Sequence, residues 1–244
     1  MSRYGRPTAM HYSFGPGSMT PAVKAIIWAN IAMFVVSLVA GDVIDYLGLS
    51  PKAVLERGWI WQVGTYMFLH GDIGHILFNM LAVWMFGVEL ERLWGTRFFA
   101  RFYGITGVGA AITAIAASFV PIGALPSTYY AVTIGASGAV YGLLMAFALY
   151  FPDRPILIFF VFPVPAKYFV MIMGAIAFLM APGSGVSNAA HLGGLLWGYL
   201  YLKSRHGGGG GLTAEIKYRY LKWKMNRLRR KFDVYSGGKS DRIH

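Results

Sequence analysis

The chain has no cysteine in 244 residues, which excludes a disulfide framework, a thiolate nucleophile and any cysteine metal site. Charge is scarce as well, at 13% of residues, and acidic residues number only 10 against 22 basic ones. All ten carboxylates fall in loops, in the tail or at the edges of apolar runs, so an intramembrane carboxylate is hard to find. What the chain has in excess is apolar surface. Hydrophobic residues make up 56% of it, more than one soluble core requires, and this composition places the chain in a membrane.

Apolar runs lie at roughly 21 to 40, 73 to 90, 99 to 120, 136 to 152, 168 to 182 and 188 to 203, and predict an all-α membrane protein of six transmembrane helices. The first run starts near Pro21 and is long enough to span, so a cleaved signal peptide is not expected. The stretch ILIFFVFPVPAK, residues 156 to 167, is short and interrupted by Pro163 and Pro165, each lacking a backbone donor. It reads as interfacial chain leading into the fifth helix. Lysine and arginine test the count, because they collect on the cytoplasmic side. With both termini inside, 20 of the 22 basic residues lie on that side and only Lys52 and Arg57 lie outside, in the first loop. Seven spans would export either the leader or the basic tail.

On this arrangement the second, fourth and sixth helices run from outside to inside, and each begins with polar groups: His75 and Asn79, Ser137, and His191. All four fall in the outer third of the bilayer. Gly138 and Gly142 on the fourth helix, and Gly194 and Gly198 on the sixth, have the small-xxx-small spacing that lets helix backbones approach. His191, Gly194 and Gly198 share one helix face, so close packing of the two glycine faces brings His191 to Ser137. A serine hydroxyl becomes a nucleophile when a base takes its proton, and imidazole is the usual base near neutral pH. Only Asp72 approaches the right depth for a third member, so a Ser-His dyad fits better than a triad. Tyr141, one turn beyond Ser137, is the natural stacking partner of His191. His75 and Asn79, four residues apart, can present side-chain donors to one point, and the Ser137 amide at the first turn of its helix supplies another for an oxyanion. Gly135 allows a tight turn ahead of the serine.

These motifs, HGDIGHILFN (His70, His75, Asn79), GASG (Gly135 to Gly138) with Tyr141, and AHLGGLLWG (Ala190, His191, Gly194, Gly198), resemble those of the rhomboid intramembrane serine proteases, over about residues 20 to 204. The resemblance implies a six-helix core with Ser137 as nucleophile and His191 as base. It implies oxyanion donors at His75, Asn79 and the Ser137 amide, Tyr141 packed on the histidine ring, and His70 in a supporting network. It further implies cleavage of membrane-anchored proteins in or next to their transmembrane segments, at small residues, with no metal or cofactor. The expected location is a cell membrane of bacterial inner-membrane type, with cytoplasmic termini and a site open to the outer side. One departure is visible: many members carry Trp-Arg in the first outer loop, where this chain has Trp61-Gln62. Trp59, Trp61 and Tyr66 suit an interfacial loop, and Glu91 with Arg92 before Gly95 suits a structural role at a turn.

Residues 1–20 form a leader, 21–204 the six-helix domain, and 205–212 a glycine-rich linker. In residues 213–244, Tyr218, Leu221, Met225, Leu228 and Phe232 repeat at three- and four-residue spacing among eight basic residues from Lys217 to Lys231, which predicts a basic amphipathic helix. Its expected partner is anionic lipid of the cytoplasmic leaflet and not nucleic acid, because it is tethered to membrane spans. Two other functions compete. His70, His75 and His191 could form a metal or ion path, against which stands the divergence, by about 140°, of two helical residues five apart. A non-proteolytic relative that binds membrane proteins is the other, although such relatives typically lack the serine or the histidine, and both are present here.

Overall fold

The computed structural model describes residues 15–120, 128–158, 161–179 and 186–207. Helices occupy all six apolar runs: α1 Pro21–Val39, α5 Ile73–Trp94, α6 Thr96–Ala117, α7 Ser137–Tyr150, α8 Ala166–Leu179 and α9 Val186–Gly207. Between α1 and α5 the chain forms three short helices, α2 Val43–Leu47, α3 Pro51–Arg57 and α4 Gln62–Thr65, then a 3-10 turn over Tyr66–Phe68. By length and composition α1, α5 and α6 suffice to cross a membrane, while α7 and α8 are shorter apolar helices of 14 residues each. Residues up to Leu200 form one compact unit, and a second begins at Tyr201. Of the linker expected over 205–212, residues 205–207 are the end of α9, and the remainder lies outside the described residues together with the expected basic helix.

The helix ends are set by local chemistry. Asp72 caps α5, its carboxylate accepting the His75 amide at 2.8 Å, as an N-cap aspartate does. At the other end Gly95, with φ 78°, turns the chain into α6. The start of α1 has no side-chain cap of its own, and its first turn is served from α5 instead. Glu91 accepts the amides of Ala22 and Val23 at 2.9 and 3.0 Å, and the hydroxyls of Thr20 and Thr96. A carboxylate at a helix N-terminus satisfies orphan donors and faces the positive end of the dipole. Arg92 beside it donates to the carbonyls of Pro16 and Ser18 in the leader. The Glu91-Arg92 pair is thus structural, as the sequence suggests.

Close packing in the centre depends on small residues. Gly138 and Gly142 of α7 lie against Ala110 and Thr106 of α6 on one side and against α9 on the other. A Cβ at Gly194 would overlap the Gly138 carbonyl, and one at Gly198 would lie 3.1 Å from the Gly142 carbonyl oxygen. The two glycine faces therefore meet, as their spacing predicts.

Two expectations change. The stretch read as interfacial chain leading into the fifth helix carries an antiparallel pair of strands, β1 Pro155–Ile158 with β2 Phe162–Pro165, so the described structure is not wholly helical. Pro163 and Pro165 do not prevent this, because each strand of a two-stranded hairpin keeps an unpaired edge where a missing donor costs nothing. Tyr66, expected in an interfacial loop with Trp59 and Trp61, is instead only 1% exposed. The two tryptophans do cluster, with Tyr46, at ring separations of 5.1 to 5.6 Å.

Candidate active site

The site is assembled at the N-terminal turns of α5 and α7 and near the start of α9. Ser137 is the first residue of α7, reached through Gly135, whose φ of 121° is open to glycine and costly for other residues. Space enforces the same choice, since a Cβ at Gly135 would lie 2.7 Å from His75 Nε2. The turn is held by the loop before α5: Leu49 and Thr133 exchange two backbone hydrogen bonds of 2.8 and 2.9 Å, and the Gly135 amide donates to the Tyr66 carbonyl at 2.9 Å.

His191 Nε2 lies 2.7 Å from Ser137 Oγ. That is hydrogen-bond length for a hydroxyl meeting an imidazole, and with Nε2 as acceptor the serine proton has a place to go. The Tyr141 ring stacks on the His191 ring with centroids 4.3 Å apart and planes within 6° of parallel. The imidazole is therefore oriented by packing. Its side chain makes one hydrogen bond among the described residues, to Ser137. Asp72, the carboxylate nearest in depth, is engaged as the α5 cap.

His75 and Asn79 share a face of α5, and His75 Nε2 is the side-chain atom that approaches Gly135 most closely. Its Nδ1 accepts a long contact of 3.5 Å from the Gly71 amide, an arrangement that leaves the proton on Nε2, pointing toward the turn. Asn79 is buried and gives one Nδ2 hydrogen to the His75 carbonyl at 2.9 Å. The second hydrogen on that nitrogen remains available to a ligand. The Ser137 amide, at the first position of α7, has no intrahelical acceptor.

His70 corrects an argument from spacing. It precedes α5 and is not on it, so His70 and His75 do not diverge around a helix; their rings meet edge to face at 4.8 Å. His70 is 1% exposed, and burial, then the neighbouring His75, lower its pKa from 6.5 to about 4, against smaller opposing effects of the Phe68 carbonyl and Asp72. Among the described residues no group of three or more histidine, aspartate or glutamate side chains could hold a metal ion.

Gln62, at the departure from Trp-Arg, is fully buried. Its carbonyl accepts the Ser50 amide at 3.0 Å, and its amide donates to the Asp45 and Tyr46 carbonyls, each at 3.2 Å. Trp61 Nε1 reaches the same Tyr46 carbonyl at 2.9 Å, and Thr65 Oγ1 the Leu47 carbonyl at 2.7 Å. Sequence reasoning missed both this role and the carbonyl of Tyr66, since a main-chain acceptor leaves no trace in residue type.

Several known proteins are similar to this chain. A family model described as the rhomboid domain matches residues 57–206. The chain is 34% identical over 142 residues to Rhomboid protein 1, mitochondrial, of Saccharomyces cerevisiae, an alignment covering 55% of this chain and 38% of that protein. To Rhomboid protease GluP of Bacillus subtilis it is 33% identical over 154 residues, covering 62% and 27%. To Rhomboid protease AarA of Providencia stuartii it is 28% identical over 207 residues, covering 78% and 73%. The chain thus spans less than two fifths of the first two relatives and nearly three quarters of the third.

Proposed function

Because the chain belongs to the rhomboid family, and is a multi-pass integral membrane protein, we propose that it is a serine endopeptidase that cleaves membrane-anchored proteins in or next to a transmembrane segment. The observation that carries this reading is the 2.7 Å contact of Ser137 Oγ with His191 Nε2 under the stacked Tyr141 ring. In the proposed reaction Ser137 Oγ attacks the scissile carbonyl carbon while its proton passes to His191 Nε2. The oxyanion that forms is met by the Ser137 amide, His75 Nε2–H and the free Asn79 Nδ2 hydrogen, donors already in place before reaction. Collapse breaks the C–N bond, and His191 gives its proton to the leaving amine. Water, deprotonated by His191, then hydrolyses the acyl-enzyme and restores Ser137. The chemistry calls on no metal or cofactor.

The topology proposed with it has six spans and cytoplasmic termini, with the dyad in the outer third of the bilayer of a cell membrane. The charge distribution supports that orientation. Substrates are transmembrane proteins cut at small residues, and the basic tail meets anionic lipid. The decisive experiment is fluorophosphonate labelling of the detergent-solubilised protein, with Ser137→Ala as control. Labelling of the unsubstituted chain alone is expected, and equal labelling of both would refute Ser137 as the nucleophile.

A further inference from the structure

We infer that Tyr66 is a positioning residue that sets the height of the Ser137 turn above α6. This rests on the reading of Ser137 as nucleophile. Tyr66 touches the turn on both sides of the serine. Ahead of it, the Tyr66 carbonyl accepts the Gly135 amide at 2.9 Å. Behind it, Gly138 faces the phenol, and a Cβ there would sit 3.0 Å from the hydroxyl oxygen. The hydroxyl in turn donates to the Gly107 carbonyl of α6 at 2.8 Å. One residue, 1% exposed, thereby links the nucleophile's turn, through its main-chain carbonyl and its phenol, to the middle of a packed helix.

The chemistry suits a fixed strut. Burial, then the nearby Tyr103, raise the pKa of the Tyr66 phenol, so it stays a neutral donor across the working pH range. The ring is rigid, with two rotatable bonds, and its far end is anchored. The residues immediately before the turn, 128 to 134, are bound to the loop before α5 by the Leu49-Thr133 pair and by contacts at their exposed end, where Tyr129 donates to Glu56 at 3.0 Å and Lys52 lies over the Tyr130 ring. Tyr66 supplies the buried attachment. Without its hydroxyl the phenol that backs Gly138 loses its anchor on α6, leaving the turn to the glycine packing alone, and the oxygen-to-nitrogen distance at the dyad and the direction of the Ser137 amide both loosen. Positioning of this kind acts on the chemical step more than on substrate binding.

The test compares full-length Tyr66→Phe with the unsubstituted protein and with Trp84→Phe, which deletes an exposed side-chain bond to the leader carbonyl of Gly17, away from the turn. For Tyr66→Phe the second-order rate of fluorophosphonate labelling and kcat on a transmembrane reporter should each fall about 3- to 10-fold, the loss of one buried hydrogen bond. KM and the end-point stoichiometry of labelling should stay as they are. Trp84→Phe should leave the labelling rate unchanged. Hydrogen exchange in the segment 131–138 should rise in Tyr66→Phe alone. A Tyr66→Phe protein with unchanged labelling rate and unchanged exchange in that segment overturns the proposal; so does rapid exchange of the Gly135 amide in the unsubstituted protein, a measurement that requires no variant. If the unsubstituted chain does not label at Ser137, the protease reading fails separately, and the exchange comparison still decides whether Tyr66 holds the turn.

Discussion

In the proposed mechanism Ser137 and His191 pass a single proton between them, so neither has a catalytic role without the other. Ser137→Ala, His191→Ala and the double substitution are therefore expected to be equally inactive, with no additivity, in cleavage of a transmembrane reporter at equal folded amount. A double variant markedly slower than either single one would show that they act independently. In the same proposal Asn79 has a lesser share, as one of several oxyanion donors. Asn79→Ala should lower kcat by something on the order of 10² to 10³, or less where His75 and the Ser137 amide compensate, while Ser137 still reacts with an acylating probe. Undiminished kcat would remove Asn79 from the oxyanion site. His70 carries a prediction about pH. Its folded pKa of about 4 lies below the ordinary 6.5, so the folded state favours neutral imidazole; stability is complete above about pH 6.5 and falls as the pH drops toward 4. Thermal midpoints measured across that window should decline less steeply in His70→Asn. Parallel curves would mean that another group governs the acid limb.

At the level of elements, the loop between α1 and α5 shows how one residue substitutes for another of different charge. Gln62 satisfies one amide and two carbonyls with its own two-ended amide, and brings no charge into a buried place that would need a counter-ion. Gln62→Ala should destabilise the fold by about 1–3 kcal/mol, because the Ser50 amide and the Asp45 carbonyl lose this partner while the Tyr46 carbonyl keeps Trp61 Nε1; a denaturation midpoint unchanged from the parent would contradict this. The apolar runs made the six helices legible, because length and apolar composition are written in side chains, as are the glycines of α7 and α9 and the serine after Gly135; Asp72, read only as a carboxylate near the right depth, is the cap of α5. Ser137, His191 and Tyr141 were legible for the same reason, since helix spacing alone places them together. The loop was not. Gln62, Thr65 and Tyr66 bond to the carbonyls of Asp45, Tyr46, Leu47 and Gly107, and every residue type offers that same acceptor. The hairpin over residues 155–165 was hidden differently: its prolines look like breakers until the strands are seen to have free edges.

For the whole molecule, the site draws on residues 49 to 198, and every side chain in the proposed mechanism lies between His75 and His191. Removal of residues 206 to 244 is accordingly expected to leave catalysis intact in a detergent assay. A peptide of residues 213 to 235 should bind anionic vesicles and be released by salt, since screening weakens attraction between a basic face and a charged surface. Equal binding to neutral vesicles at high salt would rule out the electrostatic account. Loss of all activity on truncation would instead make the tail part of the enzyme.

The cap on α1 also has a consequence in time. The amides of Ala22 and Val23 are satisfied by a carboxylate 69 and 68 residues further along the chain. At ordinary translation speeds that interval corresponds to roughly 3 to 14 s. During it the first helix leaves the ribosome with the leading end of its backbone unpaired, so that end must stay in contact with water or lipid headgroups until the Glu91 turn emerges. Completion of α1 therefore waits for the last turn of α5, and the two helices mature as a pair before α6 to α9 are made.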